Sequence, residues 1–255
     1  MKLIDTHSHL DFPAFKDEID AVLARARAQG VAQFVVPGVN GDNWSAVLSL
    51  CERKQGLYPA LGIHPCFLSG EHREDLQRLD SLLESKCEIV AVGEIGLDLF
   101  MPEADLDQQL SVLKRQLEIA HSHNKPVLLH VRKAHDQMLK QLRHYRLPRA
   151  GIVHAFSGSE QQALEYLKLG FKLGVGGSVT YERARKLRRL VVNLPLESFV
   201  LETDSPDMPL CGYQGQVNYP ERVAIVLQQL AVLRQESINK LAEVTTATAV
   251  QLLSL

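Results

Sequence analysis

Eight short runs rich in β-branched residues punctuate the chain, at residues 2–6, 33–37, 58–63, 89–93, 126–130, 151–154, 171–175 and 199–203. Between them apolar residues recur at helical spacing, as in Ile19, Val22, Leu23 and Ala26, or in Leu106, Leu110, Leu113, Leu117 and Ala120. Strands that alternate with helices pair in parallel, because each return to the sheet crosses over through a helix. Eight such units in 255 residues fit an α/β fold of the (β/α)8 TIM-barrel type, with a doubly wound open sheet as the alternative. Two more helical patterns, at about 218–235 and 237–254, predict an extra C-terminal helix that closes the barrel. No linker, composition shift or low-complexity segment breaks the series, so residues 1–255 read as a single domain.

Composition narrows the class. Hydrophobic residues make up 45% of the chain and charged residues 23%, enough apolar side chain for one large core. The opening residues, MKLIDTHSHL, lack the charged-then-apolar order of a secretory leader, and no apolar run approaches the roughly 18 residues of a membrane span. A soluble, cytoplasmic protein with no membrane partner and no obligate protein partner is expected. Cys51, Cys66, Cys87 and Cys211 are irregularly spaced and read as isolated, partly buried thiols. The formal net charge of -2 argues against a broad surface for coating nucleic acid, yet allows a local basic mouth.

The stretch IDTHSHLDF, residues 4–12, places Asp5, His7 and His9 on one side of a strand, since successive strand side chains alternate faces. A strand end reaching solvent would look the same as half of a metal site. The barrel supplies partners, because chemistry gathers at the carboxyl ends of its strands. His7 and His9 end the first strand, His64 follows the third, Glu94 ends the fourth, His130 the fifth, His154 the sixth and Asp204 the eighth. The other histidines, His72, His121, His123, His135 and His144, fall in loops or at polar helix positions and read as solvated. Taken singly, a strand-end histidine is a structural residue, and Asp204 in ETDSP caps a turn. Together, His7, His9, His130, His154, Glu94 and Asp204 make a mixed nitrogen and oxygen donor set suited to zinc, manganese or magnesium. One ion needs three or four protein ligands, so six favour two divalent ions sharing a carboxylate.

The segments IDTHSHLD, LGIHP, VGEIGLD, PVLLHVRKA, HAFSGS and LETDSP, in this order, resemble the TatD family of metal-dependent hydrolases, a branch of the amidohydrolase-like barrels, and most of all its bacterial YjjV-type members. The resemblance spans essentially the whole chain. It implies a barrel with a two-metal site and, for several relatives, metal-dependent deoxyribonuclease activity. Carried over residue by residue, it makes His7 and His9 ligands of one ion, His130 and His154 ligands of the other, and Glu94 the bridge. Asp204 would complete the first ion's shell and hold or deprotonate the attacking water, so Asp204 and Glu94 carry the catalytic roles. Asp5 would orient ligands or sit in a buried salt bridge.

Substrate contacts are less sharply marked. His64 either binds a substrate phosphate or ties down its own loop, and Arg132 and Lys133 stand where a phosphate could be gripped. The glycines of GVGGSVTY, residues 174–181, suit a phosphate cradle or close backbone packing equally. Arg183, Arg185, Lys186, Arg188 and Arg189 read as a solvated helix face, with nucleic-acid contact as the alternative. Leu99 and Phe100 replace a tyrosine of many relatives, Lys133 replaces an acid, and Thr248 stands for an asparagine; none is a candidate ligand, and all are expected to alter the substrate surface. The leading expectation is a phosphodiesterase acting on DNA or another phosphate-containing substrate. Hydrolysis of an ester, amide or phosphotriester is the alternative, and a non-catalytic nucleic-acid-binding protein the third reading.

Overall fold

A computed structural model describes residues 2–68 and 72–255. The strands are β1 (Leu3–Asp5), β2 (Val31–Pro37), β3 (Leu57–Leu61), β4 (Ala91–Asp98), β5 (Val127–Arg132), β6 (Gly151–Val153), β7 (Lys172–Val175) and β8 (Phe199–Leu201). They pair in sequence order, every pair parallel. Helices α1 (Ile19–Ala28), α2 (Trp44–Arg53), α3 (Arg73–Ser85) and α4 (Leu106–Ser122) cover the first half of the ring. The second half is covered by α5 (His135–Tyr145), α6 (Glu160–Lys168), α7 (Arg185–Asn193) and α8 (Val223–Arg234). This is the (β/α)8 barrel that the alternation predicts.

Backbone bonds across β8 and β1 close the ring. Thr6 N–H donates to Leu201 O at 3.0 Å, Asp204 N–H to His7 O at 2.9 Å and His9 N–H to Ser205 O at 2.8 Å. Asp5 locks the same seam: its carboxylate accepts Thr203 N–H at 2.9 Å, the Thr203 hydroxyl at 2.5 Å and His7 N–H at 3.3 Å. No Lys or Arg pairs with Asp5 among the described residues, so the salt-bridge expectation is replaced by a barrel latch. Its hydrogen bonds hold the backbone that carries His7.

Two layers of apolar packing follow. Leu3, Phe34, Leu61, Ile95, Leu129, Val153 and Leu173 face the helices. Ile4, Val35, Ala60, Ala91, Leu128, Ile152 and Val200 fill the interior, together with Ala249 and Leu253 of α9 (Ile238–Leu253). The extra helix therefore plugs the end of the barrel opposite the strands' carboxyl ends. Thr248 is buried on this helix and lines no part of the cavity described below, so its departure does not touch the substrate surface.

The strand β4 departs most from expectation, running to Asp98 instead of ending at residue 93. Gly96 to Asp98 pair with His130 to Arg132 of β5. A Cβ on Gly96 would lie 1.8 Å from His130 O, so glycine is what permits this pairing. Cys51, Cys66, Cys87 and Cys211 are all free, Cys51 half-buried and the other three exposed rather than partly buried. No helix of the described residues is long and apolar enough to cross a membrane.

His135 and His72 are buried, contrary to the solvated reading, whereas His121 and His144 are exposed. His123 pairs with Asp80 at 2.7 Å. His135 opens α5 beneath Phe156 and Tyr166, and its Nδ1 lies 3.2 Å from the Tyr166 hydroxyl. Burial pushes this imidazole down to about 4.

Two outcomes are expected. Leu253→Ala should cost about 2–5 kcal/mol by opening a hole in the interior, read as a lowered denaturant midpoint. His135 refuses a proton that the unfolded chain accepts below about 6.5, so its depressed value supplies stability above that pH that is lost on acidification toward 4. Urea unfolding of His135→Gln should accordingly lose less stability between pH 7 and pH 4 than the wild type, by at most about 3 kcal/mol.

Candidate metal centre

The carboxyl ends of the strands bring His7, His9, His64, Glu94, His130, His154 and Asp204 together around one cavity of about 540 Å³. At its floor Glu94 is 2% exposed. Its two oxygens face different partners. Oε2 lies 3.1 Å from His7 Nε2 and 3.6 Å from His9 Nε2. Oε1 lies 3.1 Å from His130 Nδ1, 3.5 Å from His64 Nε2 and 4.0 Å from His154 Nε2. Asp204 faces Glu94 across the site, with Oδ1 3.7 Å from His7 Nε2 and 3.6 Å from His9 Nε2, and Oδ2 3.7 Å from His154 Nε2. Its backbone is left-handed at φ 58°, a conformation aspartate tolerates better than most residues.

The donor atoms of His7, His9 and Asp204 lie within 4.8 Å of one another, as do those of Glu94, His130 and His154. In a tetrahedral zinc site, bonds near 2.0 Å place neighbouring ligand atoms about 3.3 Å apart, close to the spacings here. Charge points the same way. Among the described residues no Lys or Arg pairs with Glu94 or Asp204, so these carboxylates have only imidazoles for company. Burial alone would raise the Glu94 carboxyl, but His7 and His64 hold it well below the usual carboxylate range. Burial also opposes charge on His154, yet Glu202 and Asp204 push it up to about 10. His9, crowded by burial and by His7, is driven down to about 3. The site thus calls for buried positive charge, and a divalent cation would supply it.

Four residues near these donors escaped the sequence reading. Asp98 Oδ2 lies 3.0 Å from His130 Nε2, leaving Nδ1 aimed at Glu94. His130 and the Phe100 N–H hold the Asp98 carboxyl down to about 2, against the effect of burial. Glu202 accepts Ala155 N–H at 2.6 Å and lies 3.1 Å from His154 Nδ1, off the line of a hydrogen bond. Gln109 and Gln116 of α4 clamp strand ends through both amide atoms. Gln109 accepts Asp98 N–H at 2.8 Å and donates to Asp98 O at 2.9 Å; Gln116 accepts Ile63 N–H at 2.7 Å and donates to Ile63 O at 3.1 Å. These bonds fix the backbone beside His64 and at Asp98. One signal was present: Glu94, Gly96 and Asp98 share a strand face by alternation.

His64 ties down its own loop: its Nδ1 accepts Cys66 N–H at 3.0 Å, while Nε2 faces Glu94. Arg132 lines the cavity with its guanidinium 3.9 Å above the exposed Phe100 ring; Lys133 does not line it. Close packing accounts for Gly174 and Gly177, where an added Cβ would meet Glu202 Oε2 at 2.2 Å and Met208 O at 2.7 Å.

A (β/α)8 barrel with histidines and carboxylates gathered at the carboxyl ends of its strands has the architecture of a metal-dependent hydrolase. The chain belongs to the TatD family: the model of TatD related DNase matches residues 4–254. It is 46% identical over 243 residues to the Escherichia coli K12 protein described as uncharacterized metal-dependent hydrolase YjjV, covering 95% of this chain and 94% of that one. It is 32% identical over 266 residues to human deoxyribonuclease TATDN3, covering 98% and 94%. The crystal structure of E. coli YjjV superposes with a TM-score of 0.97 at 44% identity, covering 99% of this chain and 98% of the other.

Replacing a carboxylate that orients a ligating imidazole typically lowers metal affinity about 10–100-fold. Asp98→Asn, which keeps an acceptor for the Phe100 N–H, should show that loss for Zn²⁺ in competition with a chromophoric chelator.

Proposed function

We propose that this chain is a two-metal phosphodiesterase that hydrolyses DNA. The observation that carries the reading is the division of Glu94, one oxygen toward His7 and His9 and the other toward His130, His64 and His154. In this reading His7, His9 and Asp204 hold one cation, His130 and His154 hold the second, and Glu94 spans both. Two divalent cations so held supply the charge that acidifies water near neutral pH and offsets the negative phosphoryl oxygens.

The side chains have separate tasks. Asp204 faces His7 and His9 with one oxygen and His154 with the other, which would put it beside the attacking water to orient it and take its proton. His64 Nε2 and the Arg132 guanidinium bind non-bridging phosphate oxygens from the cavity wall. Asp98 stands behind His130 and keeps its ring aimed at Glu94, and Glu202 places negative charge behind His154. No covalent enzyme intermediate is required. The family match and the name of the human relative support DNA as substrate.

The test follows a labelled single-stranded oligonucleotide with chelator-stripped protein, alone and with magnesium, manganese or zinc restored. Stepwise shortening that needs metal is expected. Glu94→Gln should reduce it by more than about 100-fold, beyond the effect of losing an orienting carboxylate. Full activity in Glu94→Gln removes the bridging role. Absence of shortening with every metal, in protein that rebinds two ions, turns the reading toward ester, amide or phosphotriester substrates.

A further inference from the structure

A second groove, of about 380 Å³, adjoins the metal-centre cavity and shares two of its walls, Ser178 and Met208. Its outer side is formed by Tyr181, Arg183, Ala184 and Pro209. The Arg183 guanidinium lies 5.0 Å from the centre of the half-buried Tyr181 ring. This rim is tied down from both sides. The Tyr181 hydroxyl donates to Pro209 O at 2.7 Å, Arg188 donates to Val179 O at 3.0 Å, and Cys211 N–H donates to the Thr180 hydroxyl at 2.8 Å.

Immediately beyond the rim, α7 buries Leu187, Leu190 and Val191. At about 100° per residue, Arg185, Lys186, Arg188 and Arg189 fall on the opposite arc, with Arg185 and Arg189 one turn apart. Arg185, Lys186 and Arg189 are exposed on this outward face, while Arg188 turns back to Val179. The ion pairs of the described residues engage other basic side chains, and none of these four or Arg183 is neutralised by a carboxylate. In a chain of net charge -2, such a concentration of unpaired positive charge is local. Glu182 is the one acid within the run, and Asp207 is exposed on the lining of the main cavity.

We infer that this rim is a second binding subsite, which holds single-stranded DNA beyond the bond being cut; the inference rests on the phosphodiesterase reading above. Tyr181 and the Arg183 guanidinium offer flat surfaces on which an unpaired base stacks, and Arg185 and Arg189 meet the phosphates that follow. A duplex keeps its bases stacked on one another and presents none to this groove. The subsite makes length of strand a determinant of affinity, while the bond-breaking residues stay the same.

The test compares wild type with the combined variant Arg183→Ala, Arg185→Ala and Arg189→Ala, whose altered side chains are all exposed. Binding of fluorescent dT12 to chelator-stripped protein is followed by anisotropy across a salt series. Metal-dependent hydrolysis of dT12 and of bis(p-nitrophenyl) phosphate is measured beside it. The variant should bind dT12 about tenfold or more weakly, and the slope of log affinity against log salt should fall by about 1.4, near 0.7 for each of the two single-strand phosphates that Arg185 and Arg189 no longer neutralise. Its KM for dT12 should rise in step, with kcat and bis(p-nitrophenyl) phosphate hydrolysis unchanged. Equal dT12 affinity in the two proteins, or no dT12 binding by wild type at low salt, overturns the subsite. Failure of wild type to hydrolyse either substrate, with dT12 binding still weakened in the variant, overturns the phosphodiesterase reading and leaves the subsite standing.

Discussion

Taking the Glu94 carboxylate out of water costs several kcal/mol even after relaxation unless positive charge and hydrogen bonds replace the solvent. At 2% exposure, and with imidazoles rather than Lys or Arg as its pairing partners among the described residues, Glu94 obliges four other strand ends to deliver histidines to one point. The barrel meets that demand because its strands converge at their carboxyl ends and each can contribute one or two side chains there. Asp204 adds a second carboxylate across the same histidines and raises the demand for positive charge.

Stability and reactivity are divided between the ends of the barrel. At one end α9 inserts Ala249 and Leu253 among Ile4, Val35, Ala60 and Val200, an apolar plug. At the other end histidines and carboxylates gather around Glu94, and several of them are steadied by a neighbour behind. Asp5 holds the backbone of His7, Asp98 holds His130, and Gln109 and Gln116 hold the strand ends from the helix layer. The seam between β1 and β8 joins the two functions, since the Asp5 hydrogen bonds that close the ring also set where His7 and the segment before Asp204 lie. A change that loosens this seam is therefore felt in both fold and site.

Much of this molecule was legible in the order of its residues. Alternation of period two with period 3.6 marked all eight strands and the closing helix, because parallel strands and amphipathic helices impose those periods through backbone geometry alone. Strand ends followed from the same pattern, and with them His7, His9, His64, Glu94, His130, His154 and Asp204 as residues facing one mouth. What only the tertiary structure decided were relations between segments distant in sequence. The extension of β4 to Asp98 depends on its pairing with β5, and so does the approach of Asp98 to His130. Gln109 and Gln116 lie on the buried face of α4, where a polar residue is costly unless a backbone partner from another element receives it. His135 and His72 are buried by neighbours that no local period reveals. The basic run near α7 reads as a helix face from sequence, but its place beside the cavity follows from how that helix packs. Local periods are set by bonds along the chain and can be read from it; charge balance and polar pairing are set through space, and need the fold.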